Sequence, residues 1–170
     1  MRRVALAVSV AMIATMGCGA GERANVGPVE FKETTVAELE KLIADNKGKV
    51  VLIDAWFLGC APCVKKFPNL VDLHVKFAKE GLVCISLNVY PEEIKEKNKV
   101  LEFLKKQGAD FPNLIFKDDD KKVDDWQEKY DAVSTPAYVL FDRKGERKII
   151  SEKAKPQEVE EIVKKLLEAK

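Results

Sequence analysis

The 170-residue chain has a single histidine and four cysteines, no excess of either charge, and no apolar run long enough to cross a membrane. Each shortage excludes something. With 29 Lys and Arg against 28 Asp and Glu, the formal net charge is +1, so no overall field recruits nucleic acid or an acidic surface. One histidine and four cysteines leave little from which to build a metal site. No repeat or low-complexity tract divides the sequence. What is present is an apolar share of 46%, ample for one buried core, in a length that suits one domain. Function has to come from a local site.

The longest uncharged stretch stands at the N-terminus. Arg2 and Arg3 precede Val4 to Met16 and then Gly17-Cys18-Gly19-Ala20, which is the pattern of an export signal. Its apolar core falls short of the roughly 20 residues of a membrane-spanning helix, so cleavage is the expectation and an uncleaved anchor the alternative. Gly17-Cys18 resembles the end of a bacterial lipobox, whose cysteine is lipidated and becomes the mature N-terminus. Thr15 and Met16 depart from that motif, and an ordinary cut after Cys18-Gly19-Ala20 is the other reading. The expected division is a lipoprotein-type signal over residues 1–18 with Cys18 as the lipidation site, a tether over 19–29, and a folded domain over 30–170. Either cut places the domain outside the cytoplasm, in the bacterial cell envelope, where disulfides persist.

Along the domain, Thr35-Val36-Ala37-Glu38 is a capping box, and Val36, Leu39, Leu42 and Ile43 fall at helical spacing behind it. Val50 to Trp56 is the apolar, β-branched run of a buried strand. A helix is expected from about Cys60 to Glu80, kinked at Pro68, and a second strand from Leu82 to Val89. Pro91 opens a long charged helix reaching about Gln107, closed by Gly108. Leu114 to Phe116 is a short strand, Asp118 to Lys122 a solvated turn, and Val123 to Tyr130 a short helix. Ala137 to Phe141 and Glu146 to Ile150 form a hairpin, and Pro156 to Lys170 is a closing amphipathic helix.

Cys60-Ala61-Pro62-Cys63 is the most informative feature. Two cysteines at this spacing can close a disulfide across the first turn of a helix, which makes a reversible two-electron switch. The pair follows the carboxyl end of a strand, where sites collect in α/β sheets.

Asp54 to Cys63, then Phe67-Pro68, then Ser134-Thr135-Pro136 before a strand, closely resemble the thioredoxin superfamily. The segment between Pro91 and Tyr130 looks like the helix-strand-helix insertion of TlpA- and ResA-like membrane-tethered thiol oxidoreductases. The resemblance covers roughly residues 30–170 and implies an α/β thioredoxin fold: one central mixed sheet flanked by helices. Gly59 stands where a second tryptophan is usual, which leaves the substrate range open.

Cys60 at the helix start is the expected nucleophile, because unpaired N–H groups and the helix dipole favour its thiolate. Cys63, one turn in and more shielded, is expected to resolve the mixed disulfide. Asp54 is an acid in an apolar strand and matches the family's buried acid, so a raised pKa and a water-mediated role in taking the proton from Cys63 are expected. A carboxylate reaching solvent or a lysine is the plainer alternative. Thr135-Pro136 corresponds to the family's cis-proline site, where the Thr135 backbone would bind an extended substrate chain; a trans proline opening an edge strand is the alternative. Trp56 packs beside the site and is a candidate on its substrate side. Cys84 reads as a core cysteine, and His74 as a surface residue without a partner.

The implied activity is thiol–disulfide exchange on protein cysteines, with a redox-active Cys60–Cys63 disulfide and no other cofactor, no metal and no nucleic acid. Ala61-Pro62 and the lack of a histidine between the cysteines lean toward a reductase, fed by a membrane electron donor, that keeps apo-cytochrome or copper-site thiols reduced. A thiol peroxidase is a second reading, against which Phe57 stands where peroxiredoxins place threonine. A copper- or haem-delivery module is the non-enzymatic reading; copper carriers of this fold space their cysteines by three and add a distant histidine. A structural zinc site would have to draw on Cys18, Cys84 and His74.

Overall fold

A computed structural model describes residues 28–150 and 154–169. The expected signal peptide, the Cys18 lipidation site and all but the last two residues of the tether lie outside the described residues. Among the described residues, six strands form one mixed sheet: β1 (Lys32–Thr34), β2 (Val50–Trp56), β3 (Leu82–Asn88), β4 (Asn113–Phe116), β5 (Ala137–Phe141) and β6 (Arg147–Lys148). Their spatial order is β1-β4-β3-β2-β5-β6. β2 lies parallel to β3 and antiparallel to β5, so it is central, and all seven of its residues are buried. A strand covered on both faces must be apolar throughout, which accounts for its near-continuous apolar run.

Among the described residues, five α-helices cover the sheet: α1 (Val36–Asp45), α2 (Ala61–Phe77), α3 (Lys97–Gln107), α4 (Asp120–Lys129) and α5 (Pro156–Glu168). The alternation of β2 divides the core. Val51, Ile53 and Ala55 pack with Leu39 and Ile43 of α1 and with Val123 and Trp126 of α4. Val50, Leu52 and Trp56 pack on the other face with α2, α3 and α5, through Phe67, Leu70, Leu104 and Val163. Both cysteines of the CxxC pair belong to this second layer.

The capping box forms as the sequence implies: Glu38 N donates to Thr35 Oγ1, and Thr35 N donates to Glu38 Oε2. α2 runs through Pro68 to Phe77, and a short 3₁₀ turn, Ala78–Glu80, follows it. Four boundaries differ from the sequence reading. The Pro91 helix is two pieces, a 3₁₀ turn over Pro91–Glu96 and then α3. Asp118 to Lys122 is not a free turn: Asp119 caps α4 by accepting from Lys122 N, and Asp118 Oδ2 accepts from Val36 N at 2.7 Å. Only Arg147–Lys148 of the expected second hairpin strand pair with β5. β1 has no counterpart in the reading, because three residues with two exposed side chains carry no period. Gly108, at φ +71°, ends α3 in the left-handed conformation that a side chain disfavours.

His74 also differs from expectation. Its side chain is largely buried, with Nε2 3.4 Å from Asp110 Oδ1 and its ring against Phe111.

Candidate redox site

Cys60 and Cys63 are joined in a disulfide across the first turn of α2. Cys60 is the N-cap residue, and Cys63 N donates to its Sγ at 3.2 Å. Among backbone donors, this third amide of a helix is one that has no intrahelical acceptor, so the sulfur takes the place of a capping oxygen. The same N–H would stabilise a Cys60 thiolate. Pro62 sits within this turn, where a missing N–H costs no hydrogen bond. Cys60 is 7% exposed and Cys63 1%, so the first sulfur is the reachable one.

The Thr135–Pro136 peptide is cis. It brings Thr135 against the disulfide: the carbonyl oxygen and Oγ1 of Thr135 each lie 3.7 Å from Cys60 Sγ. A groove of about 430 Å³ shares Thr135 with this ledge; Phe57, Tyr90 and Val133 line it together with the acidic Glu92, Asp120 and Asp124. Tyr90 is 49% exposed and Val133 67%, apolar surface that a bound chain would cover. Phe57 stacks on Tyr90 with ring centroids 5.4 Å apart. A Cβ on Gly59 would come within 3.0 Å of the Phe57 ring, so the side chain that is absent at Gly59 leaves the place to Phe57.

Asp54 is 1% exposed, and among the described residues neither of its carboxyl oxygens has a hydrogen-bond partner. It occupies the β2 face of Leu52 and Trp56, the face on which the cysteines pack. Burial pushes its carboxyl up to about 8, with the Lys66 ammonium pulling the other way. The expected alternative, a carboxylate reaching solvent or paired with lysine, does not hold. Burial and the Asp54 charge both push the Cys84 thiol up, which keeps this cysteine protonated in the core. The Tyr138 hydroxyl, opposite Asp54 in register, is pushed up by the same two causes and by Cys84.

Trp56 is corrected. It is fully buried, its Nε1 donates to Ser86 Oγ at 2.7 Å, and its ring packs on Phe67 and Phe103 at 5.0 Å each. A side chain enclosed on all sides offers a substrate nothing; it supports the loop that begins after it.

One residue of the site went unread in the sequence. Glu93, buried on the 3₁₀ turn of the insertion, accepts hydrogen bonds from Leu58 N, Gly59 N and Asn88 Nδ2 at 3.0, 3.2 and 2.6 Å. An acid just after Pro91 is what any helix start favours, so its own position carries no special signal. The alternation of Cys84, Ser86 and Asn88 on one face of an apolar strand does, since buried polar groups need partners.

The Redoxin family model matches residues 26–167. The chain is 30% identical to the thiol-disulfide oxidoreductase ResA of Bacillus thuringiensis over 126 residues, 73% of this chain and 67% of the relative. It is 31% identical to ResA of Bacillus subtilis over 103 residues, 61% of this chain and 52% of the relative, so it spans about half to two thirds of these relatives. The solution structure of a thiol:disulfide interchange protein from Bacteroides sp. matches with a TM-score of 0.57 and 26% identity, over 74% of this chain and 77% of that one. With a CxxC disulfide at a helix start, a cis-proline ledge beside it and a family model spanning nearly all of the described residues, the chain belongs to the Redoxin family, and its fold is thioredoxin-like.

Proposed function

We propose that the protein is an extracytoplasmic thiol–disulfide oxidoreductase that works in the direction of reduction on protein substrates. The observation that carries the direction is the setting of Cys60 Sγ. Its neighbours are the Cys63 amide and Thr135, with Ala61 and Pro62 between the cysteines. Among the described residues, no histidine or lysine bonds to this sulfur. A strong oxidase needs its reduced thiolate heavily stabilised, and one amide and one hydroxyl do less than a cation would.

The reaction begins with the reduced pair. The Cys60 thiolate attacks one sulfur of a substrate disulfide; a Cys60–substrate S–S bond forms, the substrate S–S bond breaks, and the departing sulfur leaves as a thiolate. The fraction of Asp54 that is ionised near neutral pH then takes the Cys63 proton by way of water, and the Cys63 thiolate attacks Cys60 Sγ. The Cys60–Cys63 disulfide closes, the second substrate thiolate leaves, and two electrons have passed to the substrate. The Thr135 ledge and its adjoining groove suit an extended substrate segment bound during these steps. A membrane electron donor restores the dithiol. Cytochrome-maturation or copper-site thiols are the substrates that the resemblance favours, and the N-terminal signal with Cys18 supports attachment to the membrane.

Measuring the reduction potential of the Cys60–Cys63 pair tests the direction. A value well below the about −120 mV of a strong oxidase is expected; a value near it would reverse the direction.

A further inference from the structure

The insertion reaches the redox loop through one carboxylate. Glu93 is 8% exposed, and three N–H donors converge on its two oxygens, an arrangement that suits an anion. Oε2 takes Leu58 N and Asn88 Nδ2, and Oε1 takes Gly59 N. Asn88 is itself held, since its Oδ1 accepts from Tyr90 N at 2.9 Å. The amides of Leu58 and Gly59 have no backbone acceptor among the described residues, and Gly59 is exposed. The next amide, that of Cys60, closes a local turn onto Phe57 O. The backbone amides of the loop that delivers Cys60 to α2 are therefore anchored in two ways: by this turn and by Glu93.

The position also has an electrostatic consequence. An anion bonded to the amides of Leu58 and Gly59, just ahead of Cys60, opposes the positive end of the α2 dipole, and its carboxylate is largely shielded from water. A less stable thiolate means a less stable dithiol state, and hence a pair more ready to give its electrons.

We propose that Glu93 is the positioning residue of the redox centre: it fixes the Leu58–Gly59 backbone ahead of Cys60 and, by its charge, keeps the pair reducing. This rests on the thiol–disulfide exchange proposed for the same cysteines and adds the residue that sets its equilibrium.

Glu93→Gln keeps an oxygen for Leu58 N and Asn88 Nδ2, removes the charge, and turns an amide toward Gly59 N. In the full chain, the pH midpoint for Cys60 alkylation is expected to fall, and the glutathione equilibrium to move about three- to tenfold toward the dithiol. A folded variant with a lowered melting temperature but wild-type midpoint and equilibrium would overturn the proposal, because it would leave Glu93 a merely structural role. In the wild type, the Leu58 and Gly59 amides are expected to exchange slowly with solvent; fast exchange of both overturns the clamp whether or not the variant folds. Loss of disulfide reduction by the wild type sinks the functional reading instead, while alkylation and the glutathione equilibrium still report on Glu93.

Discussion

Asp54 is fully buried, neither oxygen has a partner among the described residues, and burial pushes its carboxyl up to about 8 from the ordinary 3.8. Between those values the folded chain holds a proton that the unfolded chain has released. The group's contribution to stability is therefore complete below about 4 and is lost as pH rises toward 8. Asp54→Asn cannot release that proton. Its stability is expected to gain on the wild type across this range by an amount on the order of a few kcal/mol, read as urea unfolding midpoints at several pH values. Turnover should move the other way, with disulfide reduction near neutral pH slowed about 100-fold. A wild-type rate in the variant would remove Asp54 from the proton path. The acid was visible in the sequence as a misfit in an apolar strand. Its isolation was not, because that depends on which side chains of other elements close over it.

At the scale of elements, Trp56, Phe67 and Phe103 form an aromatic trio that seats the insertion helix α3 on α2 beneath the redox turn. Phe103→Ala is expected to cost about 2 to 3 kcal/mol in urea unfolding, short of a fully buried phenylalanine because Phe103 is only partly enclosed. Exchange by the folded variant should persist, since no reacting atom touches Phe103. Long elements with strong periodicity were legible: β2, β3, α1 and α5 lie close to where their apolar spacing puts them. β1 and the division at Glu96 were not, since one is too short for a period and the other depends on tertiary contacts. Glu93 shows the same limit, as its backbone partners lie 34 and 35 residues away. The strand alternation marks Asn88 as a buried polar group in need of a partner, but no local pattern points from Glu93 to the amides of Leu58 and Gly59.

For the whole molecule, a net charge of +1 leaves substrate encounter to local contacts. The rate with a neutral disulfide should change by less than about twofold between low and moderate salt, and a steep salt dependence would point to a charged docking surface. The proposed lipid anchor is tested at Cys18: the Cys18→Ala protein should leave the membrane fraction, and its retention there would exclude a lipid anchor.

The division of labour between the cysteines is tested most directly by trapping. Cys63→Ser and Cys60→Ser proteins, reduced and mixed with cell-envelope extract, are compared on non-reducing gels. Cys63→Ser should accumulate mixed disulfides through Cys60, since the sulfur that resolves them is gone, and Cys60→Ser should accumulate none. Equal trapping by the two, or trapping by Cys60→Ser alone, would contradict attack by Cys60.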